Sequence, residues 1–325
     1  MNRSRYLLAI IACSLLVQCS GRESIQALQQ KMFSAKAGDS DSIELSYYSD
    51  YVSFVGSDSQ GHVAFALDNN RGQDGKEFQA EHFAVLHDEH KGWVEVKGSG
   101  SYNNVHHELK SIPNSETFQF QGNIDTGLRI ESSDNQLTLF VEPLAFHIEN
   151  TKGMAHFRIG SAPAVLQWGD RPIPGRVIYE YLFLPHFNRL SRSYFGLWKD
   201  FHGLYLRVDE QGDFYFHSQA SELLQPLTEK VSGFLFLEKD APTRLSNINI
   251  VAADFESAFG FYQWPLSWNG SFNHGQNFYT AEFDLHKRKT FANWVIGGFS
   301  MGIVTGTIST DGKHYNVYGL GELLI

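Results

Sequence analysis

The chain has 325 residues, 42% of them hydrophobic, 14% aromatic and 19% charged, with a formal net charge of −10. That length and apolar content support about two packed domains and exclude a disordered chain or a single small disulfide scaffold. The acidic balance argues against nucleic acid as a partner, because neutralising phosphates needs a surplus of Lys and Arg.

Residues 1–19 read as a lipoprotein signal peptide. Met1–Arg5 is basic, and the apolar run Tyr6–Val17 covers 12 residues, short of the ~20 that a membrane-spanning helix needs. The run ends in Leu16-Val17-Gln18-Cys19, which resembles a bacterial lipobox with Cys19 as the lipidation site. Gln18 stands where a small residue is usual, and an ordinary cleaved signal peptide is the alternative. Ser20 after the cysteine implies, by the same resemblance, anchoring at the outer membrane of a Gram-negative envelope, with the body facing the periplasm. Stable anchoring takes more than one acyl chain, each buried methylene contributing ~0.8 kcal/mol. Cys13 and Cys19 are the only cysteines. A body lipidated at Cys19 therefore has no disulfide, thiol nucleophile, thiolate metal site or iron–sulfur cluster.

Residues 20–42 form a helix and linker. Ile25, Leu28, Met32 and Phe33 recur at helical spacing, and Gly38-Asp39-Ser40-Asp41-Ser42 releases the body. From Ile43 onward the pattern turns to period two, punctuated by turns such as Ser57–Gly61, Asp88–Gly92, Asn150–Gly153, Asp209–Gly212 and Thr310–Gly312. Only Ala220–Lys230 sustains a further helical pattern. Strands at this spacing without crossover helices predict an antiparallel all-β fold, as sandwich or barrel. No glycine-rich phosphate loop opens a helix after a strand.

A weak repeat doubles the pattern. Asp58-Ser59-Gln60-Gly61-His62-Val63-Ala64-Phe65 matches Asp209-Glu210-Gln211-Gly212-Asp213-Phe214-Tyr215-Phe216 at a constant offset, which Phe83/Phe234 and Leu86/Leu237 keep. Asp50/Asp200 falls one residue short of it. Two β units follow, 43–175 and 176–325, joined near Pro172–Arg192. A barrel of ~8 strands is just wide enough for one small ligand.

Residues i and i+2 of a strand share a face, so polar groups among apolar neighbours mark pocket linings. Asp200 and His202 share a face with Leu204 and Leu206, and Trp198 enters from the same side. A carboxylate beside an imidazole is the minimal acid–base unit, while a structural Asp pinning the strand start is the plainer reading. In the preceding strand either face can point inward, giving a Glu180/His186 set or a Tyr179/Tyr181 set. Tyr205 closes this acid–base and aromatic segment. His82, among Phe78, Ala80, Ala84 and Leu86, reads as a hydrogen-bonded core histidine. His87-Asp88-Glu89-His90 and His106-His107-Glu108 concentrate ligand types, but the first lies in a predicted turn and neither implies a metal. No Gly-x-Ser-x-Gly elbow is present. Trp264 and Trp268, in an aromatic-rich stretch, fill a core or line an apolar cavity.

The two β units, the second opening in Trp198-Lys199-Asp200-Phe201-His202-Gly203 and the closing Tyr318-Gly319-Leu320-Gly321-Glu322, resemble the tandem-lipocalin superfamily. That group includes bacterial carotenoid hydratases, fungal hydratases and lipoproteins encoded beside export permeases. Its hydratases carry a Trp-x-Asp-His-type segment; here His202 stands two residues past Asp200. With the leader and the aromatic load, the expectation is a membrane-anchored lipoprotein that binds or ferries an apolar small molecule or lipid. The alternative is a cofactor-free hydratase or isomerase acting on an apolar unsaturated substrate. In it Asp200, His202, Tyr179 and Tyr181 are catalytic, and Trp198, Glu180, His186, Tyr205, Trp264 and Trp268 line the site. A third reading is an accessory lipoprotein holding an envelope protein.

Overall fold

The computed structural model describes residues 47–324 apart from 75–76, 99–100, 106–111, 145, 153–154, 185–200, 210, 220–229, 238–241, 259–261 and 295–296. The leader, the 20–42 helix and linker, and most of the Ala220–Lys230 segment thus lie outside the described residues. What is described is almost entirely antiparallel strand.

The first sheet is built from β1 (Tyr47–Asp58), β2 (Gly61–Asp74), β3 (Glu77–Asp88), β4 (Gly92–Val94), β5 (Ser101–Val105) and β6 (Gln119–Asn123). It continues through β7 (Gly127–Ser132), β8 (Leu137–Val141), β9 (Phe146–Lys152), β10 (Ala155–Trp168) and β11 (Arg171–Leu184). Its order is β4-β3-β2-β1-β11-β10-β8-β7-β6, with β5 on β3 and β9 on β10. The second sheet holds β12 (Phe201–Val208), β13 (Gly212–Ser218), β14 (Val231–Leu237), β15 (Thr243–Arg244) and β16 (Ser246–Ala258). It closes with β17 (Tyr262–His274), β18 (Asn277–Trp294), β19 (Gly297–Thr310) and β20 (Lys313–Leu324), in the order β15-β14-β13-β12-β20-β19-β18-β17-β16. The wiring is the same twice. In each sheet the first strand pairs with the last, and the remaining strands run outward from that central pair. Both sheets curl, so alternate residues face an enclosed interior.

The repeat slips by one residue because the hairpins differ. Asp58 pairs with Gly61 across a two-residue turn, Ser59-Gln60, whereas Val208 pairs with Gly212 across Asp209-Glu210-Gln211. One added residue resets the numbering without changing the register. The strand pairing also moves the seam: β11 crosses the expected boundary at 175/176 and stays in the first sheet to Leu184. At the β19–β20 turn, Asp311 (φ 48°) and Gly312 (φ 74°) are both left-handed, the conformation of a two-residue hairpin and the reason for that Asp-Gly pair.

Three apolar clusters result. Val52, Phe54, Phe65, Leu67, Val177 and Tyr179 belong to the first interior, and Leu204, Phe214, Trp264, Trp268, Phe283 and Val304 to the second. The third cluster is the seam between the units, where Tyr51, Ile178 and Leu182 meet Tyr205, Tyr215, Phe234 and Leu320. Strands β1, β2, β11, β12, β13 and β20 are therefore buried on both faces. Polar ties reinforce the seam: Arg176 Nε donates to Asp213 Oδ2 at 2.6 Å and its Nη2 to Ser161 Oγ at 2.7 Å. Phe83 packs edge-on against Phe291 and Phe299.

Candidate functional site

Register builds the site. His82 on β3 pairs with Asn69 on β2, Asn69 with Asp50 on β1, Asp50 with Tyr181 on β11, and Tyr181 with Arg158 on β10. All five positions have interior parity, since Leu67, Ala84, Val52, Tyr179 and Ala162 at the same parity lie in the first core. Directly paired residues stand with Cβ atoms ~4.5–5.5 Å apart. A continuous polar row thus crosses five strands inside an otherwise apolar unit.

Side-chain bonds lock its middle. Arg71, two residues beyond Asn69, donates from Nη2 to Asp50 Oδ2 at 2.5 Å and from Nη1 to Asn69 Oδ1 at 2.7 Å. Tyr179 donates its hydroxyl to the other Asp50 oxygen. Both partners of the Arg71–Asp50 pair are buried, at 3% and 4% side-chain exposure. Removal from water, and then the Asp50 charge, push the Tyr179 phenol well above its usual range, so it keeps its proton and acts as a donor. Tyr181 is likewise raised, chiefly by burial.

Beside the row lies a cavity of about 540 Å³. Asp50, Tyr179, Tyr181, His156, Arg158 and Asp125 give it polar walls, and Ile112, Phe120, Ile124 and Leu128 give it apolar ones. Arg158 donates to Asp125 at 2.5 Å, bracing the wall at the β6–β7 turn. The expected oily hollow is therefore half polar. Its volume is within the range of small-molecule sites.

The predicted residues divide among three places. Tyr179 and Tyr181 line the cavity, which resolves the two open faces of β11. Glu180, on the opposite face, lies in the seam, where Tyr215 donates to it at 2.8 Å and also meets His217 Nδ1 at 2.9 Å. Tyr205 is in the seam as well, its ring 4.7 Å from Tyr51 and 5.2 Å from Tyr215. His202 shares the second interior, with its ring 6.2 Å from Trp268. Trp264 and Trp268 are each 1% exposed and are core residues. The proposed acid–base set thus does not converge: Tyr179/Tyr181 and His202 face the interiors of different units. Asp200, Trp198, His186 and Cys19 lie outside the described residues.

Sequence reasoning missed Arg71, Asn69, Arg158 and His156. For two of them the signal was present: the inward stripe Val63-Phe65-Leu67 continues as Asn69 and Arg71, polar where the parity requires apolar. His82 is buried as expected, at 1% exposure, but neither ring nitrogen has a hydrogen-bond partner. Of the candidate ligand run, Asp88 accepts from Arg171 at 2.8 Å and Glu89 from His62 at 3.0 Å. Among the described residues no three His, Cys, Asp or Glu converge as a metal site.

Fold and site together define a two-unit lipocalin-like β protein with a ligand-sized cavity in its first unit. No protein-family model matches the chain, and no curated protein does. Among solved structures, kievitone hydratase from Nectria haematococca superposes with a TM-score of 0.51 at 11% identity, covering 87% of this chain and 89% of that one. The AttH protein of Nitrosomonas europaea gives a TM-score of 0.48 at 11% identity, with 89% and 97% covered. With the first of these, the architecture is the tandem lipocalin-like fold that the sequence resembled.

Proposed function

We propose that the chain is a carrier for an amphipathic small molecule, tethered to the envelope through Cys19 and seating its guest in the first unit. The cavity carries this reading. Its apolar wall suits a hydrocarbon body, and the Asp50, Tyr181 and Arg158 edges suit a polar end. A fluorescent fatty-acyl probe should bind the lipid-free protein saturably at one site. Ile124→Trp, which fills the cavity from a turn, should weaken that binding tenfold or more while leaving the fold intact. Unsaturable binding, or equal affinity in the variant, contradicts the reading.

A cofactor-free hydratase is the second reading, favoured by one observation: a proton-bearing Tyr179 is fixed by Asp50 and Arg71 at the cavity wall. Kievitone hydratase adds the precedent of such chemistry on this fold. The same titration separates the two. A carrier returns its guest unchanged, whereas a hydratase returns an unsaturated guest heavier by one water. Tyr179→Phe would then keep binding but lose 10²–10⁴-fold in turnover, the usual worth of a positioned acid.

A further inference from the structure

The inner end of the polar row is unexplained by the cavity walls alone. His82 and Asn69 are each 1% exposed, yet His82 Nδ1, His82 Nε2 and Asn69 Nδ2 have no partner. Each such group has given up its water without a replacement bond, and buried side-chain groups in native proteins are almost always paired. Elsewhere on the row Asp50 is bonded by Arg71 and Tyr179, and Arg158 by Asp125 although its Nε is unpaired, whereas at this pair both imidazole nitrogens and the amide nitrogen are unmatched. The Asn69 amide is oriented by Arg71, which takes its Oδ1 and leaves Nδ2 as a fixed donor. Burial, and then the Arg71 charge, bring His82 down to about 4, so the ring is neutral at neutral pH and offers one donor and one acceptor. His82 and Asn69 are set back from the cavity wall, next along the row from Asp50, and Phe120 is shared by both regions: its ring stands edge-on to His82, 5.4 Å between centroids, and it lines the cavity. It sits on β6, the end strand of the sheet.

We propose that His82 and Asn69 form the inner recognition point for the guest, hydrogen-bonding a neutral oxygen function, a hydroxyl or a carbonyl, at the end of an otherwise apolar molecule. The inference rests on the carrier reading of this site and deepens it. A cation is disfavoured by the guanidinium of Arg71. A carboxylate finds no free positive charge there, because Arg71 is already matched by Asp50. A hydroxyl uses the whole set: it accepts from Asn69 Nδ2 and donates to, or accepts from, the imidazole.

The test uses decanol, decanoate and decyltrimethylammonium as probes on the full chain. Wild type should bind decanol tenfold or more tightly than either charged probe. His82→Phe should abolish that preference while its ligand-free melting temperature holds or rises, because an apolar ring replaces an unpaired imidazole. His82→Met repeats the test if the bulkier ring disturbs the fold. Unchanged decanol preference in both variants overturns the assignment and leaves the carrier reading standing. A lower melting temperature with equal loss for all three probes overturns it in favour of a structural role. No binding of any probe by wild type overturns the carrier reading and this assignment together.

Discussion

Arg71→Ala should cost roughly 3–5 kcal/mol of stability, the usual penalty for leaving a buried charge without its partner. Asp50 would keep only the Tyr179 hydroxyl, in a setting where the ion pair is nearly free of solvent. Asn69 would lose its anchor as well. The pair is not expected to be worth that much by itself. Replacing both partners, as Asp50→Asn with Arg71→Met, should recover most of the loss, since a neutral pair bears no comparable desolvation cost. Chemical denaturation of the two single variants and the double variant measures this. Additive losses would show that the charges are not buried against each other.

The seam carboxylates should contribute less stability as pH rises from about 4 to beyond 7. The seam holds two buried carboxylates, Glu180 and Glu322, and the half-buried Asp68. Burial raises Asp68 to about 6, against hydrogen bonds from Asn70 and Ser49. It raises Glu180 to about 7, and it raises Glu322 well above the carboxylate range, with further repulsion from Asp68 and Glu180. The folded state therefore keeps protons that the unfolded chain has released. That contribution is complete below the unfolded values near 4, shrinks with rising pH, and is lost for Asp68 and Glu180 once pH passes about 6 and about 7. For Glu180 the shift corresponds to about 3 kcal/mol. Glu180→Gln keeps an acceptor for Tyr215 and removes the titration. It should be more stable than wild type at pH 8, by an amount of that order, and little different at pH 4. Thermal melts across pH would show wild type and variant converging in acid; parallel profiles would contradict the assignment.

Much of the architecture was legible because it depends on local signals. Turn residues and alternation placed the hairpins, and the Asp58/Asp209 match exposed the doubled unit. The inward face of β11 was not legible, for a physical reason. Ile178, Glu180 and Leu182 meet the other unit while Val177, Tyr179 and Tyr181 meet the interior, so both faces are buried and alternation has nothing to choose between. The polar row was hidden differently. Residues 50, 69, 82, 158 and 181 share no spacing, and only strand register brings them side by side. The load of Trp264, Trp268 and Phe283 hinted at a cavity in the second unit, but each of the three is only 1% exposed and belongs to that unit's core cluster.

Native mass spectrometry of the protein isolated gently from the cells that make it tests the central claim most directly. Wild type should carry one small-molecule adduct, and Ile124→Trp, prepared in parallel and equally folded, should carry none. A bare mass for wild type, or the same adduct on both proteins, would contradict a guest seated in the first unit.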